Sequence, residues 1–205
     1  MSGFKFRQTT GLLILAALLV GCTTKPSAPN YYTLIATPLD APVVTDISSS
    51  IGLWPVELPD LLDRSGIVSY QQQHRVNISS QNIWAGDLAE NIARVIGQGL
   101  SQQLNLSQFW YYPWESRQSP DYELRIRIDE MAGSLAGTLR FAARVTLRDN
   151  STSELRFNQR ITLQELVSSP DHDGYVEAIN KVLHRFNVEL VRQIKGSVSN
   201  SNKAN

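Results

Sequence analysis

The sequence predicts an α+β domain in which a largely antiparallel sheet carries two amphipathic helices on one face. Three observations lead there. Between residues 122 and 163, three runs alternate apolar and polar residues, the pattern of antiparallel strands with one wet face. Residues 87–104 and the stretch after Pro170 instead repeat apolar residues at three- and four-residue spacing, as a helix with one buried stripe does. The order along the chain is strands, helix, strands, helix.

The N-terminus comes first. Lys5 and Arg7 precede an apolar run over residues 12–20, too short to span a bilayer, which takes about 20 residues. That grammar predicts a secretory signal peptide over residues 1–21. Leu19-Val20-Gly21-Cys22 resembles a bacterial lipobox, which implies cleavage after Gly21 and lipidation of Cys22, the one cysteine in the chain. A thiolate is the nucleophile that such a lipid transfer needs, and several acyl chains, palmitate among them, would hold the protein stably on a bilayer. Thr23 stands where inner-membrane lipoproteins usually carry aspartate. The resemblance therefore implies an outer-membrane lipoprotein facing the periplasm. Residues 22–30 read as the lipidated cysteine and a flexible tether, small, polar and proline-bearing.

Removing residues 1–21 takes away Lys5 and Arg7 and no acid, so the net charge moves from 0 to about −2. A near-neutral chain lacks the basic footprint of a nucleic-acid binder. With Cys22 lipidated, no thiol remains for a disulfide, a thiol enzyme or a cysteine metal site. Asn77, Asn105 and Asn150 each open a glycosylation triplet, read as chance in a bacterial lipoprotein.

Residues 31–196 read as the single folded domain. Strands are expected at 31–35, 51–56, 67–70 and 75–78. Pro55 has no N–H to donate, so the second of these lies at an edge or ends there. The first helix spans 87–104, with Asn82 as candidate N-cap, and Gly97 and Gly99 imply a close approach of its neighbours. Leu139, Phe141, Ala143, Val145 and Leu147 alternate with Arg140, Arg144 and Arg148, an arginine row read as a solvated face, with an anionic lipid or partner site as the other reading. Asp149-Asn150 turns the chain between the second and third runs. The last helix opens at Ser169-Pro170 and ends at Gly196. Residues 197–205 read as a disordered tail.

No nucleophile elbow, zinc helix or phosphate loop appears, and the expectation is no enzyme, no cofactor and no metal. The three histidines, His74, His172 and His184, have no metal-pair spacing, and Asp171-His172-Asp173 reads as helix-start acids rather than a ligand cluster. The block Phe109-Trp110-Tyr111-Tyr112-Pro113-Trp114 is the most unusual patch. Phe109 and Tyr111 read as packing under the first helix; Trp110, Tyr112 and Trp114 face the other way and are open to a partner or a lipid.

Three stretches resemble one family: YYTL (31–34), IGLWPVELPDLLDRSGIVSY (51–70) and WAGDLAENIARVIGQGLSQQL (84–104). Pro55, Val56, Leu58, Pro59, Leu62, Asp63, Arg64, Ile67 and Val68, then Trp84, Ala85, Leu88, Ile92, Arg94 and Val95, match the pattern of PqiC/YmbA-type auxiliary lipoproteins of ABC-type transport systems. Leu61 departs where an aromatic is common, and Gly86-Asp87 departs where Glu-Pro is common. The resemblance implies docking of a periplasm-spanning MCE protein (PqiB-like) at the outer membrane by a homo-oligomeric ring, with a free-standing lipid-binding lipoprotein as the other reading. Phospholipid is then a candidate ligand. Candidate partner or subunit contacts are Trp54, Pro55, Asp63, Arg64, Trp110, Tyr112 and Trp114; for Asp63 and Arg64 the plainer reading is that they order the turn after Pro59.

Overall fold

The computed structural model describes residues 27–37, 49–72, 74–104, 106–115 and 119–201. Cys22, the signal segment, most of the tether and residues 202–205 lie outside the described residues. The fold is α+β, and its strands form two sheets rather than one. Five strands lie in the order β5 (Gln108–Tyr111), β2 (Ser50–Leu53), β6 (Tyr122–Gly133), β7 (Thr138–Asp149) and β8 (Leu155–Leu166). The smaller sheet runs β1 (Asn30–Tyr32), β4 (Arg75–Trp84), β3 (Gly66–Gln72). The helices are α1 (Leu88–Leu104) and α2 (His172–Ser201).

Strands β6, β7 and β8 form the antiparallel meander that the alternation predicts. Leu124, Ile126, Ile128, Phe141, Ala143, Val145 and Leu147 face inward and are buried, while the arginines between them face water. A bulge between Ile128 and Glu130 puts Asp129 and Glu130 in succession on the wet face, after which Met131 returns to the core opposite Phe141. Helix α2 covers the apolar face, and Phe186 meets Phe141 edge-on with ring centroids 5.1 Å apart. Fully buried Tyr175 reaches the far end, where its hydroxyl accepts the N–H of Gly133 at 3.0 Å.

Several expectations are corrected. Strand β2 stops at Leu53, as Pro55 requires, but it is not an edge: it pairs in parallel with both β5 and β6. Helix α1 is capped by Asp87, whose carboxylate accepts the N–H of Glu90 at 2.8 Å; Asn82 belongs to β4, which runs on to Trp84. Asp171 caps α2 by accepting the N–H of Gly174 at 2.8 Å, displacing Ser169 from that role. Gly196 does not end α2, which continues to Ser201. Among the described residues no glycine has positive φ, so Gly196 lacks the left-handed geometry of a helix stop. The two internal glycines of α1 do mark close approaches. A side chain at Gly97 would collide with Phe109 and the Tyr111 hydroxyl, and one at Gly99 with Asn187 of α2.

The β7–β8 turn closes on Asp149, which is 5% exposed and accepts from Arg156 at 2.6 Å and from the Ser151 hydroxyl at 2.7 Å. Burial alone would raise this carboxyl; hydrogen bonds from Ser151, Arg156 and Thr152 outweigh it and lower the pKa from the ordinary 3.8 to about 2. A carboxyl that ionises more readily folded than unfolded adds stability above the unfolded value, and that stability is lost as pH falls toward 2. Asp149→Asn is expected to cost about 2 kcal/mol at neutral pH and far less near pH 2, measured by urea unfolding across that range.

Candidate functional site

The aromatic block bends around the end of β2. On the inner face, Phe109 and Tyr111 sit opposite Ile51 and Leu53 and lie under α1, as their alternation predicts, although Tyr111 remains 46% exposed. On the outer face, Trp110 sits beside Gly52. The peptide between Tyr112 and Pro113 is cis, and the chain turns there. A side chain at Gly52 would lie 2.9 Å from the Trp114 ring and 2.7 Å from Pro120, so only glycine lets Trp114 settle across the sheet.

Trp54 is the centre of this cluster. Tyr112 stacks on it at 4.4 Å and 16°, and Trp114 meets both rings edge-on, at 5.4 Å and 5.3 Å. The Arg125 guanidinium lies 4.0 Å from the centroid of the Trp54 ring. The indole N–H donates to Glu123 at 3.1 Å, and Arg125 pairs loosely with the same carboxylate at 3.8 Å. The ring is therefore fixed by a phenol from the loop after β5 and by a cation and a hydrogen-bond acceptor from β6.

Between this cluster and α1 opens a cleft of about 390 Å³. Leu53, Pro55 and Val56 form one wall, Ala89 and Ala93 the helical wall, and Tyr111 and Tyr112 the far side, with Glu90 and Arg94 at its polar margin. Alanines one helical turn apart on α1 leave the room that larger residues would fill. Burial of Tyr111 raises its pKa above the ordinary 10.0, an effect the neighbouring Arg94 cation partly offsets. Arg94 also donates to the carbonyl of Leu34 at 2.6 Å and to Asn91 at 3.1 Å.

All three resembling stretches thus converge here. YYTL supplies the Leu34 carbonyl, the second stretch supplies Trp54, Pro55 and Val56, and the helix supplies Arg94. Of the contact residues expected from sequence, Trp54, Pro55 and Tyr112 line the cleft and Trp114 braces them. Trp110 lies on the outer face nearby, half-buried. Asp63 and Arg64 stand apart on the exposed turn after Pro59, where Arg64 donates to the carbonyl of Asp60 at 2.9 Å. Sequence reasoning passed over Arg94, Ala89, Ala93, Glu123 and Arg125 as site residues. The first three share a helix face at i, i+4 and i+5, a signal that was readable. Among the described residues, no group of histidine, cysteine, aspartate and glutamate could hold a metal ion.

Because Arg94 joins the N-terminal segment to α1 by a charge-assisted bond, Arg94→Gln is expected to destabilise the fold by about 1.5–3 kcal/mol. Hydrogen exchange checks the location: the Ile35 amide, which donates to Asn180 at 3.0 Å, should lose protection ahead of the β7 core.

Comparisons with known proteins agree with this architecture. A crystal structure of an uncharacterised protein superimposes with TM-score 0.67 at 18% identity, covering 82% of this chain and 99% of the other. A Xanthomonas campestris protein superimposes with TM-score 0.71 at 14% identity, covering 86% and 99%. A hypothetical protein of Chlamydia trachomatis gives TM-score 0.51 at 11% identity, covering 74% and 99%. At these identities the likeness is one of fold. No curated protein matches the sequence. Residues 32–191 match the family described as the ABC-type transport auxiliary lipoprotein component, and that span holds both sheets' main strands, α1, the cleft and the first two thirds of α2. The chain belongs to this family of transport auxiliary lipoproteins.

Proposed function

We propose that this lipoprotein docks a periplasm-spanning MCE protein at the outer membrane, as the non-catalytic receiving subunit of a lipid transport system. The observation that carries the reading is the cleft: open, mostly apolar, walled by Trp54, Pro55 and Tyr112, and assembled from the stretches that mark the family resemblance. Half-exposed aromatic side chains around a small pocket are the usual anchors of a protein interface. Cys22 would tether the domain to the outer membrane facing the periplasm, and a homo-oligomer would present several clefts to one partner. Asp63 and Arg64 lie away from the cleft on the turn after Pro59, and the docking reading assigns them to that turn rather than to the partner.

A second reading has its own support. The cleft volume falls within the usual range for small-molecule pockets, about 300–1,000 Å³, which suits a free-standing lipoprotein that holds a phospholipid acyl chain.

Purification of the lipidated protein from membranes in mild detergent, with mass spectrometry of protein partners and bound lipids, separates the two. The docking reading expects an MCE protein in stable proportion. It also expects Tyr112→Ala to cut that recovery at least tenfold, roughly the effect of losing one anchor residue. Arg64→Glu should leave the complex intact, its guanidinium being spent on Asp60. Recovery of the protein alone, loaded with phospholipid, would sink docking and leave the lipid binder.

A further inference from the structure

The wet face of the five-stranded sheet holds an arrangement that alternation alone did not reveal. Arg127 of β6 lies directly opposite Arg144 of β7, which lies directly opposite Arg160 of β8. Neighbouring strands are about 4.8 Å apart, so the three arginine positions stand abreast across about 10 Å. Like charges directly opposite on a sheet destabilise it.

The row is only partly neutralised. Asp129, placed on this face by the bulge, pairs with Arg127 at 3.2 Å through one oxygen and with Arg160 at 3.4 Å through the other. Arg144, between them, makes no ion pair or hydrogen bond among the described residues. Glu57 bridges to Arg127 from the other side through its backbone but forms no ion pair with it. The other acids of the face are engaged elsewhere, Glu130 with Arg140 at 2.7 Å and Glu123 with Trp54 and Arg125. The side chains of Arg127 and Arg160 are 54% and 55% exposed, so the row is open to a large partner.

The charges around the row separate the two anionic surfaces it could meet. Asp129 stands within the row and Glu130 pairs with Arg140 beside it, so the face carries both signs. A uniformly anionic bilayer surface would press its phosphates against these carboxylates, whereas a single acidic chain can set its carboxylates on the arginines between them.

We infer that the row Arg127–Arg144–Arg160 is a docking surface for an acidic segment of a protein partner. Carboxylates suit it because a guanidinium takes one bidentately, and a cation without its own partner loses no existing contact on doing so. The surface is separate from the cleft and stands whether or not that cleft takes an MCE protein.

The test uses the full chain in detergent micelles and a fluorescein-labelled octaglutamate peptide, with binding read by fluorescence anisotropy. Wild type is expected to bind, with affinity falling as salt rises from about 50 to about 200 mM. Arg144→Gln is expected to weaken binding about threefold and the combined R127Q/R144Q/R160Q variant at least about tenfold, whereas Arg192→Gln on α2 changes nothing. Since Arg144 has no partner to lose, its single variant decides the matter even where the triple variant does not fold. Equal binding by wild type and Arg144→Gln overturns the proposal. So does a row-dependent gain on phosphatidylcholine vesicles containing phosphatidylglycerol over phosphatidylcholine alone, with no row-dependent peptide binding, which would assign the surface to anionic lipid.

Discussion

Four buried residues, Ser50 to Leu53, are the constraint on which the rest of this structure depends. Strand β2 lies between β5 and β6 and is parallel to both, so no hairpin could have put it there. Its entry is pinned by Asp121, which accepts from both the N–H and the hydroxyl of Ser50 at 2.7 Å. Its exit is pinned by the Leu53 carbonyl, which accepts the N–H of Tyr112 at 2.9 Å, and by the Trp54 N–H, which donates to Leu124 at 3.0 Å. Ile51 and Leu53 point into the core while Gly52 leaves the opposite side bare. The strand thereby sets the cleft wall and the floor of the aromatic cluster at once.

The parts of the fold readable from sequence are those governed by local periodicity. Leu139, Phe141, Ala143, Val145 and Leu147 show the period of two because one face is buried throughout. Leu88, Ile92, Leu100 and Leu104 show the helical period because α1 has a single buried stripe. The unread parts depend on non-local partners or on competition between near-equivalent residues. Parallel pairing of β2 leaves no turn signal, and polar Ser79 to Asn82 in β4 mask a strand whose pairing with β1 makes up for their composition. Asn82, Ser169 and Asp87 are all good cap residues; which one caps follows from where the preceding strand releases the chain. Gly196 shows the opposite case, a helix-breaking residue carried through because Val191, Ile194 and their neighbours hold the helix against the sheet.

The same division applies to the site. Trp54 and Tyr112 stood out by residue type and did come together, but Arg125, which lies against the Trp54 ring, belongs to an ordinary-looking alternating strand. Its role rests on register: Leu53 opposite Leu124 brings the next residues of each chain, Trp54 and Arg125, onto the same wet face. Arg140, Arg144 and Arg148 likewise looked like a row along one strand. The physically important row runs across strands instead, because cross-strand neighbours are nearer than i, i+4 neighbours on a strand, which are about 13 Å apart.

Register also joins the two surfaces. Arg125 touches the aromatic cluster on one side, and Arg127, two residues on along the same face, begins the cationic row. An interface extending across both would place apolar anchors in the cleft and carboxylates over the sheet, so that the hydrophobic part supplies most of the binding energy and the charged part the orientation. The near-neutral net charge of the chain makes this a matter of distribution rather than total. What distinguishes the outer face is that β6, β7 and β8 align like charges, and one bulged residue, Asp129, holds two of them without reaching the third.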